Sequence, residues 1–256
     1  MSQIPTNAKP KKLTKYSQIA NGIYPARLTR VVGYGMQKQP DWNNEKKADA
    51  FKVALTYELY DPTTGKPLDV SGYEYTLNER DEEVKVPDSD LTRPSCVFQD
   101  MFFFPGAKRG KVFDLCKALD ASIEKVPADF DWFVEKLGSP VQLTVAQWTS
   151  KAGNKGVGVN AVNGVPTMIA NALEPARTDL VSFFPYLETD VNDRGYAKMY
   201  PFQRTVLTEA SDSANIPYAG KDPKVFDEEE TKPHANTDKV ESPETEEQST
   251  DDDRPF

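Results

Sequence analysis

The chain has 256 residues, of which 38% are hydrophobic and 28% charged, with a formal net charge of -9. That length supports one large domain or two small ones with a core that needs no covalent staples. No apolar run approaches the roughly 18 residues of a spanning helix and the N-terminus lacks the apolar middle of a secretory signal, so a cytoplasmic protein without membrane contact is expected.

The charge is unevenly placed. Residues 221–256 carry 13 acidic and 5 basic side chains, a net of -8, which leaves 26 basic and 27 acidic residues, a net of -1, for positions 1–220. The body is close to neutral, so the overall acidity does not exclude a polyanionic partner.

Residues 1–18, with Lys9, Lys11, Lys12 and Lys15 among prolines, read as a flexible basic arm. From Gly22 the segment GIYPARLTRVVGYGM alternates, placing Tyr24, Ala26, Leu28, Arg30 and Val32 on one side and Arg27 and Thr29 on the other. After a polar loop, FKVALTYELY puts Phe51, Val53, Leu55, Tyr57 and Leu59 on one face, with Lys52 opposite. DPTTGKP is a turn by composition, and SGYEYTLNE, with Tyr73 and Tyr75, is predicted as the third strand.

The region 79–138 opens with charged, strand-breaking residues and reads as an insertion that becomes helical. Val112, Phe113, Leu115, Cys116 and Leu119 recur at helical spacing, and Asp129 is placed to cap a second helix that stops at Gly138. PVQLTVAQW and GVGVNAVNGV, joined by the hairpin SKAGNK, complete a pattern of three strands, helix and two strands. That order predicts a mainly β protein built on a five-stranded OB barrel at 19–165, with the helical insertion between strands three and four. A small open sheet with one helix on its face is the alternative. Residues 166–220 have enough apolar content to pack as an extension on the barrel or on a neighbouring subunit of a homo-oligomer. Residues 221–256 have no periodic apolar face and are expected to be disordered.

Catalysis finds little material. The only histidine, His234, lies in the acidic tail, which removes Ser-His-Asp, Cys-His and HExxH arrangements together. Cys96 and Cys116 form no CxxC pair and read as reduced thiols, not zinc ligands. No phosphate-cradling glycine motif is present, and GAKRGK resembles one only in its glycines and lysines. Asp88 with Asp90, or Asp129 with Asp131, leaves a carboxylate-metal nuclease as a remote option. The expectation is a protein that is not an enzyme and uses no metal or cofactor.

Binding of single-stranded nucleic acid needs cations along the backbone path and aromatic faces for the bases. Arg27 and Lys52 point away from the core in this reading, and Trp148 falls out of phase with Val141, Leu143 and Val145, with Lys151 and Lys155 following in the hairpin. Trp42, Lys46 and Lys47 occupy the loop after the first strand. The loops after strands one and four flank the ligand channel of an OB barrel, and Tyr73 and Tyr75 add rings on the third strand. Backbone contact and stacking imply little sequence preference.

The chain closes on Asp251, Asp252, Asp253, Arg254, Pro255 and Phe256. A terminal ring with its own carboxylate behind a run of aspartates suits an apolar pocket with a basic rim, so Asp251, Asp252, Asp253, Pro255 and Phe256 are the expected partner-binding residues. This ending resembles the tip of the bacterial single-stranded DNA-binding proteins, Asp-Asp-Asp-Ile-Pro-Phe, with Arg254 where that family has an apolar residue. The body, from GIYPARLTRVVGYG through FKVALTYELY, looks more like the phage single-stranded DNA-binding proteins, several of which also end in an acidic segment. The resemblance implies a protein that coats exposed strands in replication, recombination or repair and recruits replication or recombination proteins through its tail. A protein-interaction adaptor or DNA mimic is the competing reading.

Overall fold

The computed structural model describes residues 15–16, 18–41, 45–77, 83–150, 153 and 155–226. The molecule is mainly β, with a larger and a smaller antiparallel sheet and short helices around them. Strand β2 (Gly22–Gln37) is the central strand of the larger sheet. It pairs with β3 (Ala50–Leu59) on one edge, and on the other with β7 (Pro140–Thr149) and, in parallel, with β9 (Val181–Phe183). Outside these lie β6 (Cys96–Phe102) and β8 (Lys155–Asn163), giving the order β6-β3-β2-β7-β8. Strand β1 (Lys15–Tyr16), from the basic arm, β4 (Asp69–Leu77) and β5 (Glu83–Pro94) form the smaller sheet.

Two expectations are corrected here. SGYEYTL, within β4, is a strand, but it leaves the main sheet to pair with β1 and β5, and the third position beside β3 belongs to β6. The segment EVKVPDSDLTRP, which its charges and prolines mark as strand-breaking, pairs along β4 as the second strand of a hairpin. The closed barrel is also not completed by pairing. The edge strands β6 and β8 approach each other, but among the described residues no hydrogen-bonded ladder joins them.

The core lies on the inner face of the larger sheet. Leu28 and Val31 of β2, Val53, Leu55 and Tyr57 of β3, and Val141, Leu143 and Val145 of β7 pack there. They are covered by Leu115 and Cys116 of α1 (Lys111–Leu119) and Phe133 of α2 (Asp131–Glu135). Each such side chain contributes about 1.5–3 kcal/mol on full burial. Asp129 accepts the N–H of Asp131 at 2.9 Å, just ahead of α2.

A β-bulge between Leu28 and Arg30 shifts the phase of β2. Arg30 and Val32, expected on the core face, therefore move to the outer face, and Val31 takes the inner one. On the outer face Val32, Tyr34 and Ala54 meet a second apolar layer from the extension, formed by Phe183, Tyr196, Met199, Leu207 and Tyr218.

The extension thus packs on its own chain, through α3 (Thr167–Ala172), β9, α4 (Asp190–Ala197) and α5 (Pro201–Thr208). Gly195 lets α4 sit directly on β9, because a Cβ there would lie 2.1 Å from the Ser182 carbonyl oxygen. Packing continues past Gly220, as Phe226 lies against Tyr196 and Tyr218.

A charged pair ties the extension down. Arg27 and Glu58 are cross-strand neighbours on β2 and β3. The guanidinium of Arg27 donates to the carbonyls of Gly138, Leu173 and Glu174 at 2.8, 2.8 and 2.9 Å. Glu58, fully buried, accepts from the N–H groups of Arg177 and Thr178 at 3.1 and 2.8 Å and from the Thr178 hydroxyl at 2.6 Å. A buried carboxylate is tolerable only when its oxygens are satisfied in this way.

Cys96 and Cys116 are free thiols, and burial pushes them up to about 11 and about 12. Because the thiolate is the nucleophile, the ionised fraction at pH 8 is about one in a thousand or less for either group. Iodoacetamide at pH 8 should leave both unmodified in the folded chain, react about tenfold faster for each unit of added pH, and modify both promptly in urea, as read by intact mass.

Candidate nucleic-acid interface

The structure separates several residues that the sequence groups together. Arg27 is committed to the strap formed by residues 173–178, which Arg27 and Glu58 tie to the sheet. It stands opposite Pro140, at the start of β7, while Trp148 lies eight residues further along that strand, about 27 Å away at 3.4 Å per residue. Lys52 is paired across the sheet with Asp100 at 2.8 Å, and its ammonium lies 5.7 Å from the Tyr34 ring centroid. Lys46 and Lys47 are exposed in the loop between β2 and β3. Tyr73 and Tyr75 sit on β4, opposite Pro87 and Lys85 of the smaller sheet. Trp42, Lys151, Asp251, Asp252, Asp253, Pro255 and Phe256 lie outside the described residues.

Trp148 and Lys155 both lie near the tip of the β7–β8 hairpin, in successive register pairs that face opposite sides of the sheet. Trp148 pairs with Gly156 near the tip of the β7–β8 hairpin and is 51% exposed. Its indole lies over the neighbouring strand, since a Cβ built on Gly156 would meet Trp148 Cζ2 at 2.4 Å and one on Gly158 would meet Cδ1 at 3.4 Å. The two glycines support one side of the ring while half of the residue stays open to solvent. A Gly156→Ala chain, with Trp42 and Trp132 replaced by Phe, should show red-shifted emission and stronger acrylamide quenching of Trp148, because the indole must swing off the strand.

A second aromatic surface runs along the outer face of β6, where Phe98, Asp100 and Phe102 alternate with the inward Val97, Gln99 and Met101. Phe98, 40% exposed, meets Tyr200 and Phe202 edge-on, each at a centroid distance of 5.5 Å. Tyr200 and Phe202 are themselves nearly parallel, with 6° between their planes and 5.8 Å between centroids. The sequence YPFQ explains their placement. Pro201 opens α5 with its φ already suited to a helix, and the Gln203 side chain reaches back to accept the Tyr200 N–H at 3.1 Å. Both rings are thereby presented at the start of the helix.

A cation lies beneath them. The Arg30 guanidinium carbon is 4.4 Å from the Tyr200 ring centroid, and Nη1 donates to the Lys198 carbonyl at 2.5 Å. Burial raises the Tyr200 hydroxyl above its ordinary range, opposed by the nearby positive charge of Arg30. Further along β6, Phe102 and the 46% exposed Phe104 line a hollow of about 600 Å³ with Arg109 and Lys111. Lys108, Arg109 and Lys111 are exposed and make no pair among the described residues. The strip therefore combines stacked and edge-on rings at one end with rings and unpaired cations at the other. Unpaired bases and phosphates require those two elements together.

Sequence reasoning passed over Phe98, Phe102, Phe104, Tyr200, Phe202 and Arg109. The signal is the period-two pattern in SCVFQDMFFF, obscured because the charged residues before it read as an insertion. Among the described residues no group of three or more His, Cys, Asp or Glu side chains is placed to hold a metal ion, and no helix is long and apolar enough to cross a membrane. No family model, curated protein or solved structure matches the chain.

Proposed function

We propose that the protein binds single-stranded DNA, with little sequence preference, on the outer face of β6. The observation that carries this reading is the strip from Phe98, Tyr200 and Phe202 to Phe102, Phe104, Arg109 and Lys111. Bases stack on the rings, and the cations neutralise the backbone. Trp148, backed by Gly156 and Gly158 and followed by Lys155, is a further stacking platform at the hairpin tip.

The sheet itself is proposed to be of OB type. In chain order its strands run third, second, first, fourth, fifth across β6-β3-β2-β7-β8, the helices fall between the third and fourth, and the outer edges approach. Strands two and three carry the ligand face of that fold, and here they are β3 and β6. Because the extension covers the β2 side of the outer face, the accessible part is displaced onto β6. Arg27 belongs to the strap in this account, and Lys46, Lys47 and Trp42 to a flanking loop.

The acidic tail and its tip, Asp251 to Phe256, are proposed to engage replication or recombination proteins in the host cytoplasm. Neither the binding nor the recruitment calls for catalysis, a metal or a cofactor.

The test is a titration of the full chain with oligo-dT and with a duplex of equal length at several salt concentrations. Tight, salt-sensitive binding to the single strand, with tryptophan quenching, is expected, because each neutralised phosphate adds to the salt slope. Equal affinity for duplex contradicts the single-strand preference, and no binding at low salt contradicts the proposal and favours the adaptor.

A further inference from the structure

Resting on that reading of the β6 face, we infer that the hollow between α1 and β8 is an anion subsite that takes a backbone phosphate of the bound strand. The hollow has a volume of about 310 Å³ and is lined by Gln99, Lys111, Asp114, Lys117, Asn160 and Asn163. That is the low end of the range for ligand sites, which suits one phosphate and its sugar better than a larger ligand.

The base of the hollow is built. Gln99 is only 8% exposed, and its Oε1 accepts the Tyr57 hydroxyl at 3.2 Å. That bond orients the carboxamide, so that its Nε2 is left as the donor end. Asn160 is the extra residue of a bulge, where the register of β8 slips between Val159 and Ala161 against β7. Bulges of this kind re-aim a side chain at the rim of a sheet.

The walls are rich in donors. Lys111 has no pair among the described residues, and Lys117 gives one N–H to the Ala121 carbonyl at 3.1 Å, leaving two. Asp114 is the one carboxylate in the lining. A hollow lined by an amide donor and two lysines, with a single carboxylate, suits a ligand that only accepts hydrogen bonds, and a phosphate oxygen is such a group. Lys111 also lines the larger hollow with Phe102, Phe104 and Arg109. A strand lying on the β6 face can therefore pass its next phosphate into the seam between β6 and β8.

The experiment uses the full chain and two variants, Lys111→Gln and Asp114→Asn, titrated with oligo-dT across salt concentrations. In parallel, inorganic pyrophosphate is titrated while the side-chain amide signals of Gln99 and Asn163 are followed by NMR. Lys111→Gln should weaken oligo-dT about 3–10-fold and reduce the salt slope by about one ion. Asp114→Asn should strengthen binding about 2–3-fold, and pyrophosphate should shift the Gln99 signals until oligo-dT displaces it. If both variants bind like the parent while Phe98→Ala does not, the hollow lies off the strand's path and the inference fails, together with the Lys111 contact, while base stacking on the β6 face stands. A pyrophosphate shift that oligo-dT leaves in place makes the hollow a site for free phosphate compounds and overturns the backbone assignment. Absence of oligo-dT binding by every chain overturns both.

Discussion

Replacing Phe98 and Phe202 together by alanine is expected to lower oligo-dT affinity by about 30-fold or more at fixed salt. Two stacking surfaces are lost, each worth about 1–3 kcal/mol by alanine substitution. The effect should be non-additive, because both rings touch each other and Tyr200. The salt slope should stay unchanged, since no cation is removed. Stability should fall by only about 1 kcal/mol, because these residues are 40% and 50% exposed and leave no closed cavity. Val191→Ala, at another exposed apolar position, serves as the control with unchanged affinity. If the double variant binds oligo-dT as tightly as the parent, the aromatic strip is not where bases stack.

The second large effect is on stability. Arg27→Ala removes three charge-assisted hydrogen bonds to the carbonyls of Gly138, Leu173 and Glu174. Bonds to charged groups contribute about 1.5–3 kcal/mol each before water recovers part of the loss at this half-buried site. A net cost of about 2–4 kcal/mol is expected, read as a lower urea midpoint. Limited proteolysis should then cut first between residues 173 and 178, where the Gly65 carbonyl, Glu58 and the Arg177–Asp69 pair are the remaining ties. Oligo-dT affinity below the unfolding midpoint should stay within about twofold of the parent. A variant with unchanged stability and a salt slope reduced by one ion would return Arg27 to the phosphate-binding role that its position on β2 first suggested.

Much of the sheet was legible because burial on one face writes a period of two. Val53, Leu55, Tyr57 and Leu59 in β3, and Val141, Leu143 and Val145 in β7, face the core in both readings. The helix around Leu115 and Cys116 was legible for the equivalent reason at a period of 3.6.

What escaped has physical causes. The β5 half of the hairpin is charged and proline-containing, with alternation only at Val84 and Val86, so its pairing with β4 could not be read from a period of two. With β5 mistaken for an insertion, β6 went unrecognised, and so did the alternation of Phe98, Asp100 and Phe102. The bulge at Thr29 reverses the facing of Arg30 and Val32, and a one-residue slip of that kind is invisible to simple alternation.

The site was the least legible part. Arg27 and Lys52 do leave the core face, but partners distant in sequence claim them: the Leu173 and Glu174 carbonyls for one, Asp100 for the other. Tyr200 and Phe202 reach Phe98 only because the extension folds back on the sheet, a long-range contact that no local window contains. Trp148 was recognisable as outward-facing from its phase on β7, and the glycines at 156 and 158 explain why its ring lies flat on the neighbouring strand.

The central claim is that bases stack along the outer face of β6. Photocrosslinking the full chain to an oligo-dT carrying 5-iodouracil, followed by mass spectrometry of the linked peptides, tests it most directly. The account predicts adducts at Phe98, Tyr200 or Phe202, with a second set at Trp148. Crosslinks confined to the β4–β5 hairpin, with none on β6 or at the start of α5, would contradict it.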